Sequence, residues 1–316
     1  MTPMTHDSTH HAKVIDHATG TAKVGHEWDG IEELDTPLPR WWLWTFYATV
    51  VFALVYVVLY PAIPMLHSAS AGTLGWSSRG VLADEVAHEK AEHQGVRDAL
   101  AATPIEALAA DPALQRAAIE GGHAAFKVNC VQCHGAGAAG AKGYPNLNDD
   151  DWLWGGDLSA IQQTLVNGIR QPGNDATRSS LMPSFGKDGI LTPAQVQDVV
   201  SHIRVLSKQD PANASSRRGA QIFADNCAVC HGANGEGNRS VGAPKLSDKI
   251  WLYGGDRASL VGTVTNAHAG VMPAWTGRLD PVTIKMLAVY VHSLGGGEAA
   301  PAPAAPAATP TAGAAR

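Results

Sequence analysis

The clearest hydropathy feature of the chain is a run of twenty residues without a charge, Trp41 to Tyr60. At about 1.5 Å per residue, a helix of that length spans a hydrocarbon layer of roughly 30 Å. Aromatic residues crowd its start, where a membrane interface would hold them. A cleaved export signal would carry a short basic head and a small-residue cleavage site. Here forty residues precede the run and Tyr60-Pro61 follows it, so the sequence predicts a retained anchor over residues 41–66. Beyond it the pattern turns helical and amphipathic. A helix is expected near Val81 to Leu100, within a stalk or packing segment over 67–111. Thr192-Pro193 opens another through Leu206, and Asp280-Pro281 a third through Leu294. A Thr or Asp before Pro reads as an N-cap followed by the first helical position.

The chain repeats itself between about 112 and 294. Pro145-Asn146-Leu147-Asn148-Asp149 returns as Pro244-Lys245-Leu246-Ser247-Asp248. Trp152-Leu153-Trp154-Gly155-Gly156-Asp157 returns as Trp251-Leu252-Tyr253-Gly254-Gly255-Asp256. Gly122 and Phe126 match Gly219 and Phe223, each pair at the i, i+4 spacing that shares one helix face. The first copy carries extra polar residues over Arg170 to Ser180, read as a loop insertion. The expected domains are therefore 112–208 and 209–294.

All four cysteines fall in these repeats, as Cys130-x-x-Cys133-His134 and Cys227-x-x-Cys230-His231. This spacing is that of covalent c-type haem attachment: two thiols one turn apart add to the porphyrin vinyl groups, and the adjacent His binds iron. A structural zinc site would gather four ligands at one centre, whereas these motifs lie far apart and each brings its own histidine. Four cysteines in 316 residues are too sparse for a disulfide scaffold. Two haem c groups are therefore expected. Methionine is a common sixth ligand. Met182 and Met272 each precede a proline and follow the two motifs in order, so each is expected to serve the histidine of its own repeat, His134 and His231. Met286 lies in a helical pattern and suits packing.

Each repeat resembles a class I cytochrome c. The resemblance implies a mainly α fold: one N-terminal transmembrane helix followed by two tandem cytochrome c domains. It also implies that a glycine lets the first and last helices cross, and that the carbonyls of Pro145 and Pro244 accept the other N–H of the histidines. Tyr290 matches the aromatic of the family's final helix; His202 stands there in the first repeat, a departure, and competes weakly as a ligand. The segment Gly25-His26-Glu27-Trp28-Asp29-Gly30-Ile31-Glu32-Glu33-Leu34-Asp35-Thr36-Pro37-Leu38-Pro39-Arg40-Trp41-Trp42, with Leu74-Gly75-Trp76-Ser77-Ser78-Arg79 after the anchor, resembles the FixP/CcoP family of cbb3-type oxidase subunits. That resemblance implies electron transfer from a soluble or membrane-bound donor cytochrome c, through two haems, to the monohaem and catalytic subunits, where oxygen is reduced. No catalytic residue is expected in this chain.

Covalent haem attachment outside the cytoplasmic membrane would place the haem domains in the periplasm and residues 1–40 in the cytoplasm. Lys23 and Arg40 before the anchor against Arg79 after it give little orientation signal by themselves. The first forty residues hold 3 Lys/Arg against 7 Asp/Glu and include His6, His10, His11, His17 and His26; they read as a solvated tail. The Ala/Pro-rich end, 295–316, reads as disordered. Net charge is −6, without the basic face a nucleic-acid binder needs. Three rival readings remain: a free-standing membrane-anchored shuttle, which would need no such head; a dihaem peroxidase, which needs an iron with an open position; and a haem-based sensor, which needs a signalling domain.

Overall fold

The computed structural model describes residues 14–299. His6, His10, His11 and the tail from 300 onward lie outside them. The chain divides into two compact units at Lys90 and Ala91.

The first unit holds a hairpin that the sequence reading had as tail. Strands β1 (Lys23–Trp28) and β2 (Ile31–Leu34) pair antiparallel around Asp29-Gly30. Both turn residues have positive φ, the conformation that favours Asp-Gly in a two-residue turn. Lys23 also pairs with Glu32 across it. Helix α1 (Arg40–Leu59) follows, apolar on every face and with no buried residue. It is long and apolar enough to cross a membrane. Its two threonine hydroxyls are satisfied internally, Thr45 Oγ1 donating to the Trp41 carbonyl at 2.9 Å and Thr49 Oγ1 to that of Phe46 at 2.7 Å. In hydrocarbon an unpaired hydroxyl would be costly. At the far end, Thr73 N and Leu74 N donate back to the carbonyls of Val58 and Leu59. Gly72 makes that return possible, because a β-carbon there would overlap the Leu59 carbonyl.

Helix α2 (Ser78–Ala102) runs from the first unit into the second. Its C-terminal end is clasped onto the haem-motif region. Leu100 is buried, Arg97 pairs with Asp280 at 2.6 Å, and Lys285 donates to the carbonyls of Leu100, Ala101 and Thr103. A 3-10 turn (Ile105–Ala110) buries Ile105 and Leu108.

The second unit contains helices α3 (Pro112–Asn129), α4 (Val131–His134), α5 (Leu158–Asn167), α6 (Pro193–Leu206), α7 (Ala214–Asn226), α8 (Ala228–His231), α9 (Arg257–Asn266) and α10 (Pro281–His292). Thr192 and Asp280 cap where the sequence puts them, and four further caps join them. Thr192 and Asn213 form capping boxes, and Asp111, Asp157, Asp256 and Asp280 accept from first-turn amides. Helix α10 ends two residues before Leu294.

The packing does not follow the repeats. α3 crosses α10, and α6 crosses α7; α5 lies on α10 and α9 on α6. Two cores result, each drawn from both repeats. One gathers Phe126, Cys130, Ile161 and Leu165 with Ile284, Leu287 and Val291. The other gathers Phe185, Val196, Val199 and Ile203 with Phe223, Cys227, Leu260 and Val264. The final helix of each repeat has changed places, so the segments 112–208 and 209–294 are repeats of sequence but not the packed bodies. Gly122 and Gly219 are the expected crossing glycines. A β-carbon on Gly122 would overlap the carbonyl of Met286, and one on Gly219 the carbonyl of Asp198. Tyr290 lies on Phe126 with ring centroids 5.3 Å apart, and His202 lies on Phe223 at the same distance. Burial lowers the pKa of His202.

The two bodies touch through equivalent loops. Gly143 N donates to the Leu252 carbonyl at 2.8 Å, and Tyr253 lies against Gly143. Trp154 covers Gly242, with Arg178 over its ring at 5.7 Å. Glu298, expected in a disordered tail, instead pairs with Arg239 and accepts from Gly156 N at 2.8 Å. Between the bodies Asp151 is pushed up to about 6, chiefly by burial and then by the charges of Asp248 and Asp149.

Gly219→Ala should destabilise the intact chain by about 3 kcal/mol, since the added carbon meets backbone and not a movable side chain; thermal unfolding followed by far-UV circular dichroism reads the loss. Asp151 has a folded pKa above the ordinary carboxyl value of 3.8, so its ionisation costs stability as pH rises through that window and the cost persists above it. Asp151→Asn should therefore stabilise the fold at pH 7.5 by about 1 kcal/mol after solvent screening, read as a higher melting temperature, and the gain should vanish near pH 4.

Candidate haem sites

Each haem motif is built the same way. A capped helix, α3 or α7, ends at the first cysteine, whose backbone bends (Cys130 φ −112°, Cys227 φ −113°). A single turn, α4 or α8, then carries the second cysteine and the histidine, and stops at a glycine of positive φ, Gly135 or Gly232. His134 N donates to the Cys130 carbonyl and His231 N to that of Cys227, both at 2.9 Å. That one turn sets both thiols and the imidazole on a common side. All four cysteines are free thiols; Cys130 and Cys227 are buried, Cys133 and Cys230 exposed.

His134 Nδ1 lies 3.0 Å from the Pro145 carbonyl and His231 Nδ1 2.9 Å from that of Pro244. A carbonyl only accepts, so Nδ1 carries the proton and Nε2 is left as the electron-pair donor. Burial lowers the pKa of both histidines, which keeps the imidazole neutral as a metal ligand must be. The loops that bring the prolines round are tied to the same histidines: Gly140 N donates to the His134 carbonyl and Gly237 N to that of His231, both at 2.8 Å. A thiolate metal centre suits these residues poorly. Burial pushes the Cys130 and Cys227 thiols up to about 11, and among the described residues no group of three or more His, Cys, Asp or Glu is placed to hold a metal ion.

The methionines are where the structure departs from simple tandem order. Met182 packs against the core that contains Phe223 and Cys227, and Met272 against the core that contains Phe126 and Cys130. Each Met-Pro loop is seated on the middle helix of the other repeat. Trp275 N donates to the Leu165 carbonyl at 2.9 Å at the end of α5, while Lys187 N donates to that of Thr265 at 2.9 Å at the end of α9. Where the strands of chain cross, Ile169 and Met272 exchange backbone hydrogen bonds of 2.9 and 3.0 Å. Met182 thus joins the body of His231 and not that of His134, contrary to the expectation from order along the chain. The reason is the glycine-mediated helix exchange, which carries each Met-Pro loop across with the helix behind it. Met286 is a packing residue: it is buried, with its sulfur against Gly121 and its carbonyl against Gly122.

A haem c group fits these residues. Each body offers paired thiols, a neutral histidine with Nε2 free, and a methionine, and each holds one buried indole N–H without a partner, Trp275 in one and Trp251 in the other. Those two tryptophan donors, the helix exchange and the contact between bodies escaped the sequence reading. The repeat of Trp152 at Trp251 was visible, but not that only one of the two has its N–H satisfied.

Comparison with known proteins agrees with this reading over nearly the whole chain. Residues 20–67 match the N-terminal domain of cytochrome oxidase-cbb3, FixP; residues 119–207 match cytochrome c; residues 214–291 match cytochrome c oxidase, cbb3-type, subunit III. The chain is 53% identical to the cbb3-type cytochrome c oxidase subunit CcoP of Cereibacter sphaeroides, over 87% of this chain and 95% of the relative. It is 53% identical to the FixP subunit of a Bradyrhizobium species over 90% and 98%, and 50% identical to that of Azorhizobium caulinodans over 93% and 99%. The chain therefore belongs to the FixP/CcoP family, the electron-transferring cytochrome c subunit of cbb3-type cytochrome c oxidases.

Proposed function

We propose that the chain holds two covalent haem c groups with crossed axial ligands and relays electrons between them towards the catalytic subunit of its oxidase. Cys130 and Cys133 anchor the first haem, with His134 and Met272 as its axial residues. Cys227 and Cys230 anchor the second, with His231 and Met182. Haem supplies a one-electron iron couple when bound. The protein's own work is to hold each ring rigidly, keep each histidine neutral and oriented through Pro145 or Pro244, and exclude water with cores built around Phe126 and Phe223. Methionine sulfur favours the reduced iron and so a raised potential. The observation that carries the crossing is the seating of each Met-Pro loop on the other repeat's middle helix.

The same reading gives the chain its setting. Helix α1 anchors it in the cytoplasmic membrane of the bacterium, with the haem bodies in the periplasm, where c-type haem is attached. A donor cytochrome c delivers electrons, and the monohaem and catalytic subunits receive them. The direct contact of the two bodies through Gly143, Tyr253, Trp154 and Gly242 supports transfer within the chain, because no flexible linker separates them.

Two measurements test this. Cys133→Ala leaves the first haem on one thioether, which shifts its absorbance and so labels it; Cys133 is exposed, so its loss disturbs little packing. In that background Met272→Ala should abolish the Met–iron charge-transfer band of the labelled haem, and Met182→Ala should abolish that of the other. The reverse result contradicts the crossing. Extraction in mild detergent should recover the chain with b-type haem and copper; recovery of a lone dihaem protein in several detergents would favour a free-standing shuttle.

A further inference from the structure

The two haem bodies are built from equivalent parts, yet they do not satisfy their tryptophans in equivalent ways. Trp152 and Trp251 occupy matching positions, each with its indole edge against a glycine, Gly156 or Gly255. Trp152 Nε1 donates to the Gly296 carbonyl at 2.6 Å, because the segment after α10 passes over it. Trp251 Nε1 is buried without a partner. Three residues beyond the methionines the situation reverses. The body of Met182 has Phe185, buried and with no polar atom. The body of Met272 has Trp275, whose Nε1 is again buried without a partner. Among the described residues these two indole nitrogens are the buried side-chain nitrogen or oxygen atoms left unpaired.

A buried N–H is retained only where something accepts from it. The main chain of Trp275 is fixed. Its amide is held by the Leu165 carbonyl, and its own carbonyl accepts from Arg278 N and Leu279 N at 3.0 Å. It packs against an apolar core that includes Phe126, Ile161 and Leu165. The group that fills the space beside such a core in a c-type haem body brings two carboxylates, its propionates, into otherwise apolar surroundings. We infer that Trp275 donates its indole N–H to a propionate of the haem held by Cys130 and Cys133, doing there what Trp251 does for the other haem from a different sequence position. Each haem is thus supplied with one indole donor, by Trp251 where the indole at the repeated position is free and by Trp275 where Gly296 has claimed it. This rests on the haem assignment and the crossed assembly proposed above.

A donor facing a propionate favours its ionised form. The midpoint potential of that haem then stays level across neutral pH, because its proton has already left. Taking the donor away raises the pH at which the propionate ionises, and the potential bends downward there. The test is redox titration of the full chain over a range of pH, with the first haem labelled by Cys133→Ala and the second, in a separate protein, by Cys230→Ala. Trp275→Phe should move the bend of the first haem up by about one pH unit, the size expected for one lost hydrogen bond to a charged group, and leave the second haem unmoved. Trp251→Phe should do the converse. Trp152→Phe should leave both bends in place, since its N–H is spent on Gly296. A Trp275→Phe chain that melts earlier but keeps its bend would show a packing role only and overturn the inference, as would a bend that moves in Trp152→Phe. A bend that moves in the second haem would overturn the crossed assembly, and the inference with it. A chain without the absorbance of thioether-linked haem would overturn the haem assignment itself.

Discussion

The close crossing of helices at Gly122 and Gly219 governs the rest of the haem region. At each point two helices approach until the β-carbon of any other residue would overlap a carbonyl of the partner helix. That approach brings Tyr290 onto Phe126 and His202 onto Phe223, and it fixes where the loops behind α6 and α10 emerge. Because the partner in each case comes from the other repeat, every feature attached to the final helices crosses with them. The Met-Pro loops, Phe185, Trp275 and the Gly296 segment are all reassigned between bodies by these two contacts.

Exchange also joins the bodies. A tandem pair linked only by residues 209–213 would hinge there. Here the chain passes between the bodies more than once, and Ile169 and Met272 are bonded where the passages meet. Trp154 and Tyr253 press on the opposite body's loop glycines, and Glu298 reaches Arg239 from the end of α10's own body. Such cross-linking holds the two bodies at a fixed separation, which the proposed relay needs and a hinged pair would not provide. The carboxylates of Asp149, Asp151 and Asp248 work against this closeness, and the raised pKa of Asp151 records the cost.

Unpaired polar atoms carry information in such a rigid interior. The repeated tryptophan differs between the bodies: the Gly296 carbonyl accepts from Trp152, and Trp251 has no partner. The two bodies also differ at Phe185 and Trp275, so each ends with one buried indole N–H without a protein partner, Trp251 in one and Trp275 in the other.

Much of the site was legible in the chain because it is local. Cys130, Cys133 and His134 lie on one turn, as do Cys227, Cys230 and His231, so spacing alone sets their mutual placement. The bonds from His134 to Pro145 and from His231 to Pro244 close loops of only 11 and 13 residues. The anchor, the caps at Thr192 and Asp280 and the crossing glycines follow from patterns of a few residues. The β1–β2 hairpin was missed because its side chains are almost all exposed and give no burial signal. Tertiary structure alone decided which final helix meets which glycine. Both repeats carry the same Gly-x-x-x-Phe face and a capping residue before proline at the last helix, Thr192 or Asp280, so paired and exchanged assemblies satisfy the local pattern equally. The choice lies in which helix meets each glycine, that of Met286 far along the chain for Gly122 and that of the nearby Asp198 for Gly219, which no local spacing distinguishes.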